Sequence, residues 1–265
     1  MSFTEHQDFP RALALANKLA DAARVLARHH FRQPIEVEQK ADLSPVTVAD
    51  RAIETELRRL IRAEFPTHGI QGEEFAAESG GEFTWVLDPI DGTKSFITGF
   101  PLFGSLIALV REQRSVLGVI EAPALGERWL GCEGQATRFA ASGTSVVART
   151  SGCTSIELAR VYSTTADTFH ADDLQRFDAL TRRAAMRRFG GDCYIYGLLA
   201  SGHCDLVVEA ALKPHDFLAL VPVVEGAGGL ISDWNGDALH PDSGDRVVAA
   251  ATEALWVQAV EALAN

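Results

Sequence analysis

Cysteine is scarce in this sequence. Its four residues, Cys132, Cys153, Cys193 and Cys204, are scattered, with no Cys-x-x-Cys pair and no companion histidine at zinc spacing. That argues against a disulfide framework and a structural zinc module, and leaves reduced thiols acting as small buried hydrophobes. Long hydrophobic runs are missing too: nothing approaches the roughly 18 uninterrupted apolar residues of a membrane span. Over residues 1–30 charges interrupt every short apolar stretch. Neither a secretory leader nor a transit peptide is therefore expected, and the chain reads as soluble and cytoplasmic. Basic runs stop at the pairs Arg182-Arg183 and Arg187-Arg188 in a chain of formal net charge −12, so no nucleic-acid surface is expected. Internal repeats and low-complexity tracts are absent as well.

What is present is core-forming. Apolar residues make up 47% and charged residues 23% of the 265 positions, which suits one large domain or two compact halves sharing an interface. The acidity carries a hint of its own. An acidic protein that handles an anion must neutralise part of its own field, and divalent cations are the usual device. Phe9, Leu13, Ala16, Leu19, Ala23 and Leu26 recur at helical spacing and predict an amphipathic helix over 9–31. Thr47 is placed to cap a second helix, with Ile53, Leu57, Leu60 and Ile61 on one face and Pro66 beyond its end. Short apolar segments at 83–87, 103–110, 115–120 and 128–132 then predict an antiparallel sheet flanked by these helices. Turn residues Ser142 and Gly143 mark the expected boundary between an N-terminal α+β half, 1–143, and a C-terminal half, 144–265. In the latter, strands near 161, 187–189, 206–208, 230–232 and 247–250 alternate with helical stretches.

Three segments concentrate carboxylates: Gly72-Glu73-Glu74, the run WVLDPIDGTKSF over 85–96, and Pro214-His215-Asp216. In the second, apolar Trp85, Val86 and Leu87 deliver Asp88 at a strand end, Pro89 fixes the backbone, and Asp91-Gly92 turns it again. Two carboxylates and the Ile90 carbonyl thus emerge at one tip, and hard cations such as Mg²⁺ take such oxygens. Thr93, Lys94 and Ser95 are predicted to open a helix whose free N–H groups would suit a phosphate. Taken alone, Asp-Pro and Asp-Gly are equally good as plain turn formers. What favours chemistry is the company, since Glu73, Asp88, Asp91 and Asp216 all stand at predicted element ends.

On Val46–Asp50, Gly72–Glu74, Asp88–Thr93 and Asp216 with the segment 226–229 behind it, nearly the whole chain resembles the inositol monophosphatase-like superfamily of Mg²⁺-dependent, lithium-sensitive phosphatases. The resemblance implies an α+β fold of the inositol monophosphatase/fructose-1,6-bisphosphatase type, a layered αβαβα sandwich, and a homodimer. It also implies two to three Mg²⁺ ions. Glu73, Asp88 and the Ile90 carbonyl would bind the first, Asp88, Asp91 and Asp216 the second, and Glu73 would help with a weaker third. Thr93 would orient and help deprotonate the attacking water in a relay with Asp50, which makes Thr93, Asp50 and Glu73 the expected catalytic residues. The N–H groups of Gly92 and Thr93 would hold phosphate oxygens beside the metals.

Residues 189–229 and the run after Asp91 look closer to the histidinol-phosphate phosphatases of this superfamily than to its inositol-specific members. Histidinol carries an amine, and Asp192 and Glu209 would add two carboxylates near the metals. An alternative reading has Asp192 capping the helix of 194–199. His215 departs from the tryptophan that commonly precedes the metal-binding aspartate in inositol phosphatases. Lys94 is left without a role, and His203 reads as loop surface. The expected reaction is hydrolysis of L-histidinol phosphate, a small phosphate monoester. The alternatives are an inositol phosphatase or a broad-specificity sugar or nucleotide monophosphatase and, from another class, a non-catalytic metal-responsive interaction protein. A degenerate relative would be expected to lose a ligand or the threonine, and Glu73, Asp88, Asp91, Thr93 and Asp216 are all retained.

Overall fold

The computed structural model describes residues 2–39 and 45–264. Helix α1 (Phe9–His30) is followed by strands β1 (Val37–Gln39) and β2 (Pro45–Thr47), which pair antiparallel, and by helix α2 (Val48–Glu64). Leu15, Ala16, Leu19, Ala20 and Ala23 form the buried stripe of α1. The start of α2 follows from Thr47. Its hydroxyl accepts the Ala49 N–H, and Asp50 reaches back to the Thr47 N–H at 2.8 Å, closing a capping box.

Next come β3 (Gly69–Gly72), β4 (Phe83–Asp91), the short helix α3 (Thr93–Ile97), β5 (Gly104–Arg111), β6 (Arg114–Ala122), β7 (Glu127–Cys132), β8 (Arg138–Ala141) and β9 (Thr144–Val147). The seven strands form one sheet in sequence order, with β3 parallel to β4 and the other neighbours antiparallel. Strands β4 to β6 read as nearly continuous apolar runs because both faces of the sheet are covered. Trp85, Leu87, Ile107, Leu109, Leu117 and Val119 belong to the core under α1 and α2, whereas Val86, Leu106, Ala108 and Ile120 belong to the core on the opposite face. Ser142 and Gly143, with φ of 50° and 78°, are the tip of the β8–β9 hairpin. The turn signal there is real, and the first sheet runs on to Val147.

The remaining elements are β10 (Arg160–Ser163), α4 (Ala171–Thr181), β11 (Met186–Phe189), α5 (Tyr194–Ala200), β12 (Leu206–Glu209), α6 (Pro214–Phe217), α7 (Leu220–Gly226), β13 (Leu230–Ser232), β14 (Val247–Ala250) and α8 (Glu253–Ala264). The strands make a second sheet in the order β11-β10-β12-β14-β13. Helices α5 to α7 fill the space between the two sheets, packing Tyr196, Leu199, Phe217, Val223 and Val224 into a shared core. Glycine lets α7 come close: a Cβ at Gly118 or Gly131 would stand 2.0 or 2.2 Å from the carbonyl oxygen of Ala219 or Pro222. Helices α4 and α8 cover the outer face with Phe177, Leu180, Leu255 and Leu263. The layers are therefore α1/α2, sheet, α5–α7, sheet and α4/α8, the αβαβα sandwich expected. All four cysteines are free thiols. Among the described residues no helix is long and apolar enough to cross a membrane.

Candidate active site

The apolar run alone would end β4 at Leu87. The strand continues to Asp91 instead, with its register against β5 shifting between Asp88 and Asp91. Pro89 has no N–H for the ladder, and its carbonyl accepts the Ser105 hydroxyl at 2.6 Å. The irregular strand end brings Asp88 and Asp91 to Asp216 of α6, and one carboxylate oxygen from each of the three lies within 4.8 Å of the others. Asp216 is held from behind, since its Oδ2 accepts the Lys213 N–H at 2.7 Å and His215 Nε2 stands 3.5 Å from its Oδ1. The Cys193 N–H donates to Asp91 Oδ2 at 2.6 Å. Burial pushes all three carboxyls above the ordinary range, most strongly Asp88 and Asp91. The negative neighbours add to it: Glu73, Asp91 and Asp216 act on Asp88, and Asp192 and Asp216 act on Asp91. Asp88 Oδ1 is buried with no hydrogen-bond partner among the described residues.

Glu73 stands just past the end of β3, outside this triad, but lines the same cavity, and its charge adds to the upward push that burial chiefly gives the carboxyls of Asp50 and Asp88. Asp50 is fully buried, and its Oδ2 accepts both the N–H and the hydroxyl of Thr47 while Oδ1 has no partner among the described residues. Thr93 opens α3, and its hydroxyl donates to the Ile90 carbonyl at 3.1 Å. The hydrogen bonds of Thr93 and Asp50 thus run to Ile90 and Thr47, not to each other.

A second set of carboxylates comes from the C-terminal half. Gly190, Gly191 and Asp192 carry positive φ in succession, an arrangement that glycine adopts without steric cost. The sequence allowed Asp192 to be a helix cap, but its side chain turns away from α5 and accepts the Ser95 hydroxyl at 2.7 Å. A Cβ at Gly92 would stand 2.7 Å from that carboxylate, so only glycine lets β4 end so close to it. Glu209 ends β12, buried, with Oε1 accepting the Thr164 N–H and Oε2 the Tyr196 hydroxyl, each at 2.9 Å. Burial pushes its carboxyl up to about 7 against the opposing pull of these two donors.

Glu73, Asp91, Gly92, Thr93, Asp192, Glu209 and Asp216 all line one cavity of about 240 Å³, and the exposed Lys94 stands at the same cavity. Ser95, Thr164 and Tyr196 were missed by sequence reasoning. Thr164 carried a usable signal, since it is a hydroxyl residue just past the end of β10, and Ser95 stands in the short helix that opens directly after Asp91-Gly92. Tyr196 sits inside an apolar helix and gave none.

A family model described as the inositol monophosphatase family matches residues 11–264. The chain belongs to that family. It is 41% identical over 266 residues to the bifunctional phosphatase IMPL2, chloroplastic, of Arabidopsis thaliana, covering 97% of this chain and 76% of that relative. A histidinol-phosphatase of Chlorobaculum parvum is 40% identical over 228 residues, covering 84% of this chain and 86% of the relative. A solved inositol monophosphatase from Zymomonas mobilis matches with a TM-score of 0.88 at 42% identity, over 98% of this chain and 100% of that one. As an inositol monophosphatase-family member, the chain is a phosphatase acting on phosphate monoesters. Enzymes of the inositol monophosphatase family are metal-dependent, generally on Mg²⁺. The residues present fit that ion: all the donors are hard oxygens, three of them converge within 4.8 Å, and an orphaned buried oxygen, Asp88 Oδ1, is among the groups at hand.

Proposed function

We propose that this chain is a Mg²⁺-dependent histidinol-phosphate phosphatase. It converts L-histidinol phosphate and water to L-histidinol and phosphate, breaking the bond between phosphorus and the alkyl oxygen. The observation that carries the substrate is the pair Asp192, half-buried, and Glu209, buried, two carboxylates in the cavity that Asp91 and Asp216 of the triad also line. Their hydrogen bonds come from neutral donors, and a cationic amine on the leaving group would add charge-assisted hydrogen bonds to both carboxylates. A relative named as a histidinol-phosphatase at 40% identity points the same way.

In this reading Asp88, Asp91 and Asp216 hold one Mg²⁺, and Glu73 with Asp88 and the Ile90 carbonyl holds another, with Glu73 also serving a weaker third. When bound, Mg²⁺ supplies the positive charge that offsets the phosphoryl group and stabilises the entering and departing oxygens. Thr93 orients the attacking water with its hydroxyl. The Thr93 hydroxyl, which donates to the Ile90 carbonyl at rest, would turn to Asp50 Oδ1, open among the described residues, so that the water's proton passes through Thr93 to Asp50 and is returned through solvent to the departing alkoxide. The N–H groups of Gly92 and Thr93 hold the phosphate, and Asp192 and Glu209 orient the amine. The enzyme is proposed to work in the cytoplasm as a homodimer. The edge strand β11, exposed at all four residues including Met186 and Phe189, supplies a surface suited to pairing.

A second reading, hydrolysis of inositol phosphate, is favoured by the 42% identity to the solved Zymomonas mobilis inositol monophosphatase. Phosphate release from L-histidinol phosphate and from inositol 1-phosphate, each with Mg²⁺ and with chelator, separates the two. The first substrate is expected to have the higher kcat/KM, with activity lost on chelation. A higher kcat/KM for the inositol ester would overturn the assignment.

A further inference from the structure

The acidic loop after β3 is gripped from behind by α2, through the buried side chains of Glu54 and Arg58. Glu54 is fully buried and lies one helical turn beyond Asp50. Its Oε2 accepts the Glu74 N–H at 2.7 Å, and its Oε1 accepts Arg58 Nε at 2.7 Å. Arg58, also buried, spans onward to Glu78 Oε1 at 2.8 Å and to the Phe75 carbonyl at 3.1 Å. The Glu74 N–H belongs to the same planar peptide as the Glu73 carbonyl. Fixing it therefore fixes the backbone torsion that aims Glu73. Gly72 shows how close the grip is: a Cβ there would stand 1.9 Å from Glu54 Oε1, so any larger residue must displace the carboxylate.

We infer that Glu54 and Arg58 are positioning residues for Glu73, setting how tightly the site takes Mg²⁺. The pair carries opposite charges on successive turns of one helix, so it holds the loop without leaving a buried charge unmatched. The inference rests on the reading of Glu73 as a Mg²⁺ ligand. Groups that orient a ligand from behind typically change metal affinity by roughly 10–100-fold when removed.

The test is calorimetric titration of Mg²⁺ into the chelator-treated full chain, alongside kcat, KM and the Mg²⁺ activation constant. Glu54→Gln keeps the shape but replaces one acceptor oxygen by a donor facing Arg58, and Arg58→Lys keeps the charge but cannot reach three acceptors together. Gly72→Ala attacks the same contact from the loop side. Each is expected to raise the Mg²⁺ Kd about tenfold, with KM for the ester near the parent's and activity recovered at high Mg²⁺. Circular dichroism and the melting temperature identify any variant that fails to fold, in which case the other two carry the test. A Kd within twofold of the parent in the folded variants, while Glu73→Gln weakens binding tenfold, would overturn the positioning role alone. If Glu73→Gln also leaves Kd unchanged, the ligand role of Glu73 falls, and the positioning role falls with it.

Discussion

The two walls of the cavity use the same side-chain chemistry to opposite ends. On the N-terminal wall, Asp88 and Asp50 each keep a buried oxygen without a partner among the described residues, and Asp88 shares its surroundings with Glu73, Asp91 and Asp216. On the C-terminal wall every carboxylate is supplied with donors: Ser95 for Asp192, Thr164 and Tyr196 for Glu209. The first wall is short of positive charge and hydrogen-bond donors, the condition a cation relieves. The second has its orientation fixed in advance, the condition for recognising a particular group. Among the described residues the orphaned carboxylate oxygens thus lie on the first wall, and the carboxylates of Asp192 and Glu209 are each held by donors.

The largest effect should come from the first wall. Asp88→Asn is expected to lower kcat on the order of 10³-fold, because it removes a charge proposed to be shared by both ions. The same change should raise the melting temperature of the Mg²⁺-free protein by relieving like-charge crowding, and should abolish the extra stability that Mg²⁺ confers. Unchanged kcat would sink the shared-ligand role. On the second wall, Asp192→Ala should raise KM for a cationic monoester about tenfold and leave an uncharged one near the parent value. Equal losses on both esters would show that no amine is read there.

A smaller, pH-dependent effect separates the walls without substrate. In the folded chain Glu209 titrates at about 7, raised from an ordinary value of 4.5. A raised folded pKa means the folded state holds the proton more tightly, so this contribution to stability is full below 4.5 and is lost as pH rises through about 7. Melting curves of the Mg²⁺-free protein across that window should therefore show stability falling with pH. Glu209→Gln should flatten the curve, though Asp88 and Asp91 still contribute in the same direction. An identical slope in the variant would contradict the burial argument. The smallest effect is Ser95→Ala, which removes one neutral donor from Asp192. It should move KM for the amine ester by about threefold with kcat unchanged, and a fall in kcat would place Ser95 nearer the reacting atoms than the geometry does.

Local signals located most of the elements. Helical spacing placed α1 to within one residue of its observed end, and Thr47 marked the start of α2, because periodicity and capping are settled by neighbouring residues. The acids of the first wall were legible for the same reason: Pro89 and the Asp91-Gly92 turn are local devices that end or bend a strand. Less legible was the extension of β4 past Leu87, which depends on β5 tolerating a register shift. Nor could the sequence distinguish a hairpin tip at Ser142-Gly143 from a boundary, since both use the same turn residues.

By itself, then, the amino-acid order determined which stretches become helix or strand and which carboxylates stand at their ends. Tertiary structure alone decided that α6 brings Asp216 to Asp88 and Asp91, that Asp192 turns to Ser95 and not to its own helix, and that Glu54 grips the loop of Glu73. The reason is physical. Capping and periodicity are energies between near neighbours, whereas burial, crowding of charge and the partnering of a buried oxygen depend on segments brought together only when two sheets close on the helices between them.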